Sequence, residues 1–420
     1  MNASAGQVPV GSGEARRTWD AIVVGAGPAG STAAWHLARA GAAVLLLERA
    51  AFPRDKACGD LLIPDALAAL ERCGARGEVD QLGHRVDTLR VASPRGVTFD
   101  VPTEMVGLPR VQLDELLARR ASEAGAHLAR GKAGAVGLGA DGPFVDLEVR
   151  PGQASLRVGG RFVLIATGAD TSLLEPLGML ERTAPSAVAL RRYVVSDTPL
   201  AQPLISFDRS VLPGYAWIFP VGPGRFNIGV GLFFEQARKQ DVAGAAASLR
   251  DLLQRFEAHS PEARQLLAGG PEGAVRGARL RTGLEGTRPL HPSGKVLAVG
   301  ETLGTTYPFT GEGIGKAMES AEIAAQVLGE ELGRGDAGGG LGKATGVAGY
   351  AERIAGELGP RYGGYHTAQR WLRRAWVADL VSWRVARSPH LRTLAAEVLA
   401  ERADPGRIFS LGTLFRSLIG

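Results

Sequence analysis

The sequence predicts an α/β fold in which the pieces of one α/β domain are interleaved with a β-rich segment and followed by a helical tail. Three observations predict it. A strand, a glycine turn, a helix and a second strand follow one another from Asp20 to Glu48. Strands running into glycine-containing loops recur near Phe162 and Val296, with Pro- and Gly-bounded strands between them. Beyond a Gly-rich stretch at 333–346, helical patterning dominates.

The first element carries the most information. Asp20-Ala-Ile-Val-Val24 reads as a buried strand, and Gly25, Gly27 and Gly30 follow it at G-x-G-x-x-G spacing around Pro28 and Ala29. Residues 31–40 read as helix. Gly25 permits a tight turn, Gly27 lets backbone approach a pyrophosphate, and Gly30 lets the helix pack closely on the strand. The helix N-terminus offers unpaired N–H groups and the positive end of its dipole to that pyrophosphate. Ala43-Val-Leu-Leu-Leu47 is a second strand ending at Glu48, an acid placed to accept hydrogen bonds from adenosine ribose hydroxyls. A glycine motif alone is weak; the whole series in this order predicts dinucleotide binding.

Composition narrows the partners. A chain of 420 residues can hold two or three substructures with large shared cores. Its 45% hydrophobic and 22% charged content is ordinary for a soluble globular protein. The 58 glycines are about twice the usual share and signal many tight turns. The net charge of +5 and pI near 9.4 come from arginines spread along the chain, so no nucleic-acid partner is expected. Two cysteines, Cys58 and Cys73, exclude a disulfide framework. With no signal peptide, they point to a reducing cytosol and a cytoplasmic location. No apolar run reaches the ~18–20 residues of a membrane span. The seven histidines show no metal-ligand spacing, so no metal is expected.

The remaining elements follow in order. Residues 1–17 are expected as a disordered leader and 18–85 as the first part of the cofactor domain, with an irregular stretch at 51–62 and a helix near Pro64–Cys73. Residues 86–103 alternate around Ser93-Pro-Arg-Gly96, a hairpin signature. The second cofactor part, 104–184, contains a helix from Val111 with Leu113, Leu116, Leu117 and Ala121 on one face, then the strand Phe162–Ala166. A β-rich substrate domain is expected at 185–285, ending in helix from Asp241 to Leu267. The third cofactor part, 286–332, holds the strand Val296–Val299, a glycine loop and a helix from Gly311 to Leu328. A linker at 333–346 precedes a helical region at 347–420. No internal repeat is visible.

Several blocks resemble the flavoproteins of the para-hydroxybenzoate hydroxylase type, and within them the geranylgeranyl reductase family. Glu48-Arg49-Ala-Ala-Phe52-Pro53-Arg54-Asp55-Lys56-Ala-Cys58-Gly59-Asp60 is similar to the family's F-P-R-x-K-x-C-G segment. Arg110-Val-Gln-Leu113-Asp114-Glu-Leu116-Leu117 matches its R-x-x-L-D-x-x-L helix, and Ala166-Thr167-Gly168 its A-T-G turn. Gly214-Tyr215-Ala-Trp217-Ile-Phe219-Pro220, Asn227-Ile-Gly229-Val-Gly231 and Pro308-Phe309-Thr310-Gly311-Glu312-Gly313-Ile314 match its G-Y-x-W-x-F-P, N-x-G-x-G and P-F-x-G-E-G-I blocks. The resemblance spans about Asp20 to Leu328. It implies a Rossmann-like FAD-binding domain of the glutathione reductase/para-hydroxybenzoate hydroxylase type, interleaved with a β-rich substrate domain.

The resemblance also implies site residues. FAD would be held by Gly25, Gly27, Pro28, Ala29, Gly30, Glu48, Arg49, Cys58, Gly59, Arg110, Thr167, Gly168, Glu301, Gly311, Glu312, Gly313 and Ile314. Tyr215, Trp217, Phe219, Tyr307 and Pro308 would face the substrate. Gly300-Glu301 stands where many relatives carry Gly-Asp, so the acid that holds the ribityl chain reaches one methylene further here. The implied reaction is reduction of carbon–carbon double bonds in a prenyl lipid or a quinone isoprenoid chain.

With FAD bound, the flavin carries the hydride and the protein binds, orients and tunes it. The Gly311–Ile314 loop, opening onto a helix, would set N–H donors toward charge developing on the reduced ring. Cys58 is the one side chain with catalytic potential beside the flavin, and a buried thiol without chemistry is the plainer reading. Cys73 reads as core or helix surface. Tyr215, Trp217 and Phe219 alternate, so they share one strand face as packing, as a cavity wall, or as both. Lys56 reads as a solvated charge; for Arg54, solvation and cover over a cofactor phosphate both remain open. In the tail, Leu372, Trp376, Leu380 and Trp383 share a helical stripe flanked by Arg370, Arg373, Arg374 and Arg384. The primary expectation is that this stripe packs on the body, and the alternative is contact with an anionic bilayer. NAD(P)H or a ferredoxin is the expected electron donor, since no second complete nucleotide motif exists. The other chemistry of such a fold is flavin-dependent hydroxylation or epoxidation of an apolar metabolite. Halogenation is disfavoured, because only Trp217 and Pro220 echo the paired-tryptophan strand of that group. The Glu301 departure alone motivates a third reading, a degenerate flavin-binding protein without catalysis.

Overall fold

The computed structural model describes residues 7–148, 156–200, 202–212, 214–234, 239–308, 310–333, 347–372 and 374–409. In chain order, β1 (Val8–Pro9), α1 (Ser12–Arg16), β2 (Trp19–Val24), α2 (Pro28–Arg39) and β3 (Val44–Glu48) open a first sheet. The chain then leaves it through β4 (Leu61–Leu62), α3 (Pro64–Arg72), α4 (Arg76–Leu82), β5 (His84–Ala92) and β6 (Thr98–Gly107). It returns with α5 (Arg110–Glu123), β7 (His127–Arg130), β8 (Lys132–Gly139), β9 (Gly142–Glu148) and β10 (Leu156–Ile165). A second excursion comprises β11 (Ala187–Val195), β12 (Leu204–Ser206), β13 (Tyr215–Gly222), β14 (Arg225–Phe233), α6 (Lys239–His259), α7 (Pro261–Leu267) and β15 (Pro271–Leu280). β16 (Val296–Ala298) and α8 (Ile314–Gly333) complete the first layer. The tail is α9 (Tyr350–Arg353), α10 (Gly359–Leu372), α11 (Ala375–Arg387) and α12 (Pro389–Leu399).

The first sheet runs β1-β7-β3-β2-β10-β9-β8, with β16 also beside β10. Its parallel core β7-β3-β2-β10 is buried on both faces, which is why Ala21–Val24 of β2 and Val44–Leu47 of β3 are continuously apolar rather than alternating. α2 packs against both α5 and α8 over this sheet. Two glycines make the crossing from β2 to α2. Gly25 has φ +105°, and a Cβ there would overlap the Ala166 carbonyl; one at Gly30 would overlap the carbonyl of Gly25. Pro28 starts α2 with the fixed φ that a first helical turn accepts.

The second sheet runs β15-β11-β14-β13-β12-β5-β6-β4. The early hairpin and the 185–285 segment therefore belong to one sheet, joined where β12 pairs parallel to β5 with Ile205 opposite Val91. α6 covers one face with Leu249, Leu252, Leu253 and Phe256 packed on Val194, Ile228 and Val230. The other face carries Tyr215, Trp217 and Phe219 and turns toward the first sheet, so the site lies where the two sheets meet.

Two expectations change. Residues 7–17, expected within a disordered leader, are ordered: Val8 pairs with Ala129, and Trp19 Nε1 donates to Glu14 O at 3.2 Å. Residues 1–6 and the linker residues 334–346 lie outside the described residues. The tail stripe does not pack on the body. Its helix breaks between Leu372 and Ala375, and α11 buries Val377, Ala378, Ser382 and Val385 instead. Trp376, Leu380 and Trp383 are 60%, 48% and 43% exposed. Asp379 explains which face turns inward, because its Oδ1 accepts hydrogen bonds from Ser93 Oγ and Arg95 N on the hairpin, both at 2.8 Å. The side chain of Leu372 and all of Arg373 lie outside the described residues. Among the described residues, no helix is long and apolar enough to cross a membrane.

Candidate active site

One cleft of about 500 Å³ runs from the glycine turn after β2 to the loop before α8. Its first end is lined by Gly25, Gly27, Pro28, Ala29, Glu48 and Arg49, and its far end by Gly311, Glu312, Gly313 and Ile314. Thr167, Gly168, Glu301, Cys58, Gly59 and Arg110 lie along it. The two stretches that sequence reasoning set about 280 residues apart thus share one groove. Gly30 sits behind the turn, acting through packing.

The near end is held by a buried charge network. Arg110 Nε and Nη2 donate to Asp114 at 2.6 and 2.8 Å, and Arg54 Nη1 donates to the same carboxylate at 2.7 Å. Arg54 Nη2 reaches Glu48 Oε2 at 3.0 Å, where Ala26 N–H also donates at 3.2 Å. The neighbouring guanidiniums hold the Asp114 carboxyl below the usual carboxylate range despite its burial. This network braces the glycine turn from below. A Cβ on Gly27 would lie in ordinary contact, 3.8 Å, with both the Arg54 and the Arg110 guanidinium, so two cations stand beside that glycine. Gly27 caps α2 without any side-chain hydrogen bond, which leaves the helix N–H groups to face the groove.

These features fit FAD. A pyrophosphate suits the uncapped helix end and the Arg54–Arg110 pair. Further along, Glu301 Oε2 pairs with Lys56 Nζ at 3.1 Å, while its Oε1 is buried without a partner. A ribityl hydroxyl would satisfy that orphaned oxygen, so the longer acid still serves the position. Lys56, expected as a solvated charge, is instead drawn into the groove by this pair.

The far end is apolar. Tyr215, Trp217 and Phe219 line one wall, with ring centroids 5.6 and 6.2 Å apart in succession. Ile63, Leu89 and Ile205 continue the lining. Trp217 Nε1 donates to Asn227 Oδ1 at 2.9 Å, and Asn227 Nδ2 donates to Cys58 O and Asp60 Oδ2, both at 2.8 Å. Tyr193 OH also donates to Asp60 Oδ2, at 2.6 Å, and Arg110 N–H to Asp60 Oδ1 at 3.1 Å. Asp60 thereby joins the aromatic wall to the cofactor side. It holds φ +63°, a conformation costly for a non-glycine residue, and burial pushes its carboxyl up to about 6. Burial likewise pushes the Cys58 thiol up, so Cys58 faces the cleft as a neutral thiol rather than a nucleophile.

Sequence reasoning misplaced two residues. Tyr307 and Pro308 do not line the cleft. Tyr307 is fully buried, stacks on Tyr365 at 3.9 Å between centroids, and its OH donates to Glu401 Oε1 at 2.7 Å. The tail claims that ring. Phe309 lies outside the described residues. Reasoning from sequence also passed over Asp60, Tyr193 and Glu401, whose roles arise only from spatial closure. One cluster of metal-ligating types occurs among the described residues, away from the cleft. His36, Cys73 and Glu322 bring ligand atoms within 4.8 Å of one another, but Arg72 Nε already donates to Glu322 at 2.8 Å and burial pushes the Cys73 thiol up to about 11.

Comparison with known proteins supplies the family. A model of FAD binding domains matches residues 18–202. The chain is 36% identical over 326 residues to a menaquinone reductase of Mycobacterium tuberculosis, covering 74% of this chain and 76% of that protein. It is 32% identical to a digeranylgeranylglycerophospholipid reductase 1 of Methanopyrus kandleri, covering 75% and 81%. A crystal structure of a geranylgeranyl bacteriochlorophyll reductase-like protein from Thermoplasma acidophilum shares the fold, with TM-score 0.76, 21% identity, and 96% and 99% of the two chains covered. The chain therefore belongs to the geranylgeranyl reductase family of FAD-dependent oxidoreductases.

Proposed function

We propose that this enzyme saturates carbon–carbon double bonds in the isoprenoid chain of a quinone or lipid. The observation that carries the proposal is the continuity of the FAD groove with the apolar wall of Tyr215, Trp217, Phe219, Ile63, Leu89 and Ile205. An isoprenoid chain offers no polar group to bind, so recognition must come from burial of its methyl and methylene groups at ~25 cal/mol per Å². When bound, FAD supplies the hydride.

The chain's own residues do the rest. The glycine turn and the α2 N-terminus hold the pyrophosphate, with Arg54 and Arg110 beside it. Glu301 and Lys56 flank the middle of the groove. The start of α8, behind Gly311, Glu312 and Gly313, sets a positive helix end toward charge that develops during electron transfer. The aromatic wall excludes water and orients the double bond.

Access suits a membrane-borne substrate. Moving an isoprenoid chain from bilayer to water costs ~0.8 kcal/mol per methylene, which favours pick-up at the bilayer surface. The outward Trp376, Leu380 and Trp383 of α11, with Arg387 stacked over Trp383 at 4.4 Å, form an aromatic-basic face of the type that rests on anionic headgroups. We assign that face to peripheral membrane contact. The electron donor is a nicotinamide or a ferredoxin acting from outside the groove.

Anaerobic mixing tests the function. Reduced holoenzyme combined with a polyprenyl quinone regains its oxidised flavin spectrum as one double bond disappears. Failure of every prenylated substrate to restore the spectrum would sink the proposal.

A further inference from the structure

Saturating one double bond takes a hydride and a proton, and the proton has no source in an apolar wall. The far end of the cleft contains one, next to a charge cluster that reaches solvent. Glu312 and Asp65 both line the cleft, from the loop before α8 and the first turn of α3. The loop that carries Glu312 is pinned by two backbone hydrogen bonds, Tyr307 N–H to Glu312 O at 2.7 Å and Gly311 N–H to Tyr307 O at 3.2 Å. Glu312 Oε2 is buried without a hydrogen-bond partner.

Behind these two acids lies a chain of charged groups. Lys316 Nζ stands 3.8 Å from Asp65 Oδ2, donates to Glu401 Oε2 at 2.5 Å, and also pairs with Glu319. Arg361 Nη1 donates to Glu319 at 2.9 Å and to Glu401 at 3.1 Å. Lys316 is buried, whereas Arg361 and Glu319 are part exposed and form the solvent end. Four carboxyls, Asp65, Glu312, Glu319 and Glu401, thus share two cations. A low-dielectric site cannot keep all four ionised, so the cluster retains a proton. Burial first, then the charges of Asp65 and Glu401, push Glu312 well above the usual carboxylate range, and burial with Glu401 pushes Asp65 up to about 7.

Two other protic groups stand at the far end. Cys58 Sγ accepts from the Asp60 N–H at 3.4 Å and lies beside the Arg110 guanidinium, and Tyr215 OH meets the Thr310 carbonyl at 3.5 Å. We propose that Glu312 is the acid that protonates the substrate double bond, with the charge cluster of Asp65, Lys316 and Glu401 beside it. This inference rests on the reductase reading above. The step balances. The Glu312 O–H bond breaks and leaves its pair on the carboxylate, the π pair of the alkene forms a C–H bond to that proton, and the hydride brings its own pair to the other carbon. The alkene is reduced and the flavin oxidised; a nicotinamide or ferredoxin restores the flavin, and solvent restores the carboxyl.

The charged and titratable groups facing Glu312 set its pH response. They are Asp65 on α3, Lys316 on α8, Glu401 in the turn after α12, Tyr215 on β13 and Tyr365 on α10, while Glu319, Tyr307, Arg361 and Tyr362 surround Glu401 behind them. The protonated form is the active one, so the rate holds at low pH and falls as pH rises through the apparent pKa. Removing the Glu401 charge removes a repulsion that raises that pKa, which moves the falling limb to lower pH.

The test uses FAD-loaded wild type, Glu312→Gln and Glu401→Gln. Wild type shows an infrared band of a protonated carboxyl at neutral pH that shifts in heavy water, and Glu312→Gln lacks it. Glu312→Gln retains FAD and bleaches with dithionite, but polyprenyl quinone reoxidises it at least ~100-fold more slowly than wild type. Glu401→Gln keeps turnover at low pH with its falling limb displaced toward acid. Reoxidation of Glu312→Gln at the wild-type rate overturns the inference, as does an unmoved pH limb in Glu401→Gln. Should Glu312→Gln lose FAD, the Glu401→Gln limb alone decides. A wild type that bleaches yet is never reoxidised by substrate refutes the reductase reading instead, and the infrared band separates that failure from this one.

Discussion

Asp60 offers a quantitative test because its charge is held at a cost. Its carboxyl is buried, sits at left-handed φ, and accepts hydrogen bonds from Tyr193, Asn227 and the Arg110 N–H. Those bonds do not repay desolvation, and the group rises from 3.8 to about 6. At about 1.4 kcal/mol per tenfold change in proton affinity, the ionised native state is penalised by roughly 3 kcal/mol. The sign follows from linkage. Between pH 3.8 and 6 the native state binds more protons than the unfolded chain, so this group's contribution to stability falls as pH rises and is flat above about 6. Asp60→Asn keeps the shape and cannot ionise. Urea unfolding of wild type and Asp60→Asn in saturating FAD, from pH 4 to pH 7, gives a stability difference that moves about 2.4 kcal/mol in favour of the variant. Comparing the two proteins cancels Asp65 and Glu312, which titrate in both. A difference that stays constant with pH would refute the reasoning and make Asp60 an ordinary paired carboxylate.

Other perturbations probe separate parts of the site. Asp114→Ala leaves Arg110 buried without its bidentate partner and should cost about 3–5 kcal/mol in chemical unfolding. Gly30→Ala drives a Cβ into the Gly25 carbonyl, so the turn must open; the purified protein should lose its yellow flavin absorbance while far-ultraviolet circular dichroism persists. Replacing Trp376 and Trp383 together with serine should abolish co-sedimentation with anionic vesicles and leave reoxidation by a short, detergent-dispersed prenyl substrate intact.

Much of the fold was legible because its signals are local. The β2–α2 turn needs glycine at positions where a side chain would strike backbone, and Ala21–Val24 and Val44–Leu47 are apolar because both faces of those strands are buried. The hairpin around Ser93 was equally plain, but its membership in the second sheet was not, since the pairing of β12 with β5 joins residues more than a hundred positions apart. The aromatic wall followed from strand alternation at Tyr215, Trp217 and Phe219. Tyr307 was misread because the resemblance sets it against the substrate, whereas Glu401 and Tyr365 from the tail capture it. The α11 stripe failed for a related reason. Apolar periodicity marks a face without saying whether it turns inward, and here Asp379, anchored to Ser93 and Arg95, decides.

The account stands on reduction rather than oxygenation at the apolar end of the groove. The most direct measurement is the mass of a polyprenyl quinone recovered after turnover under isotopically heavy oxygen gas. Two added hydrogens per event and no heavy oxygen are predicted. A product carrying one heavy oxygen atom would contradict the account and make the enzyme a monooxygenase.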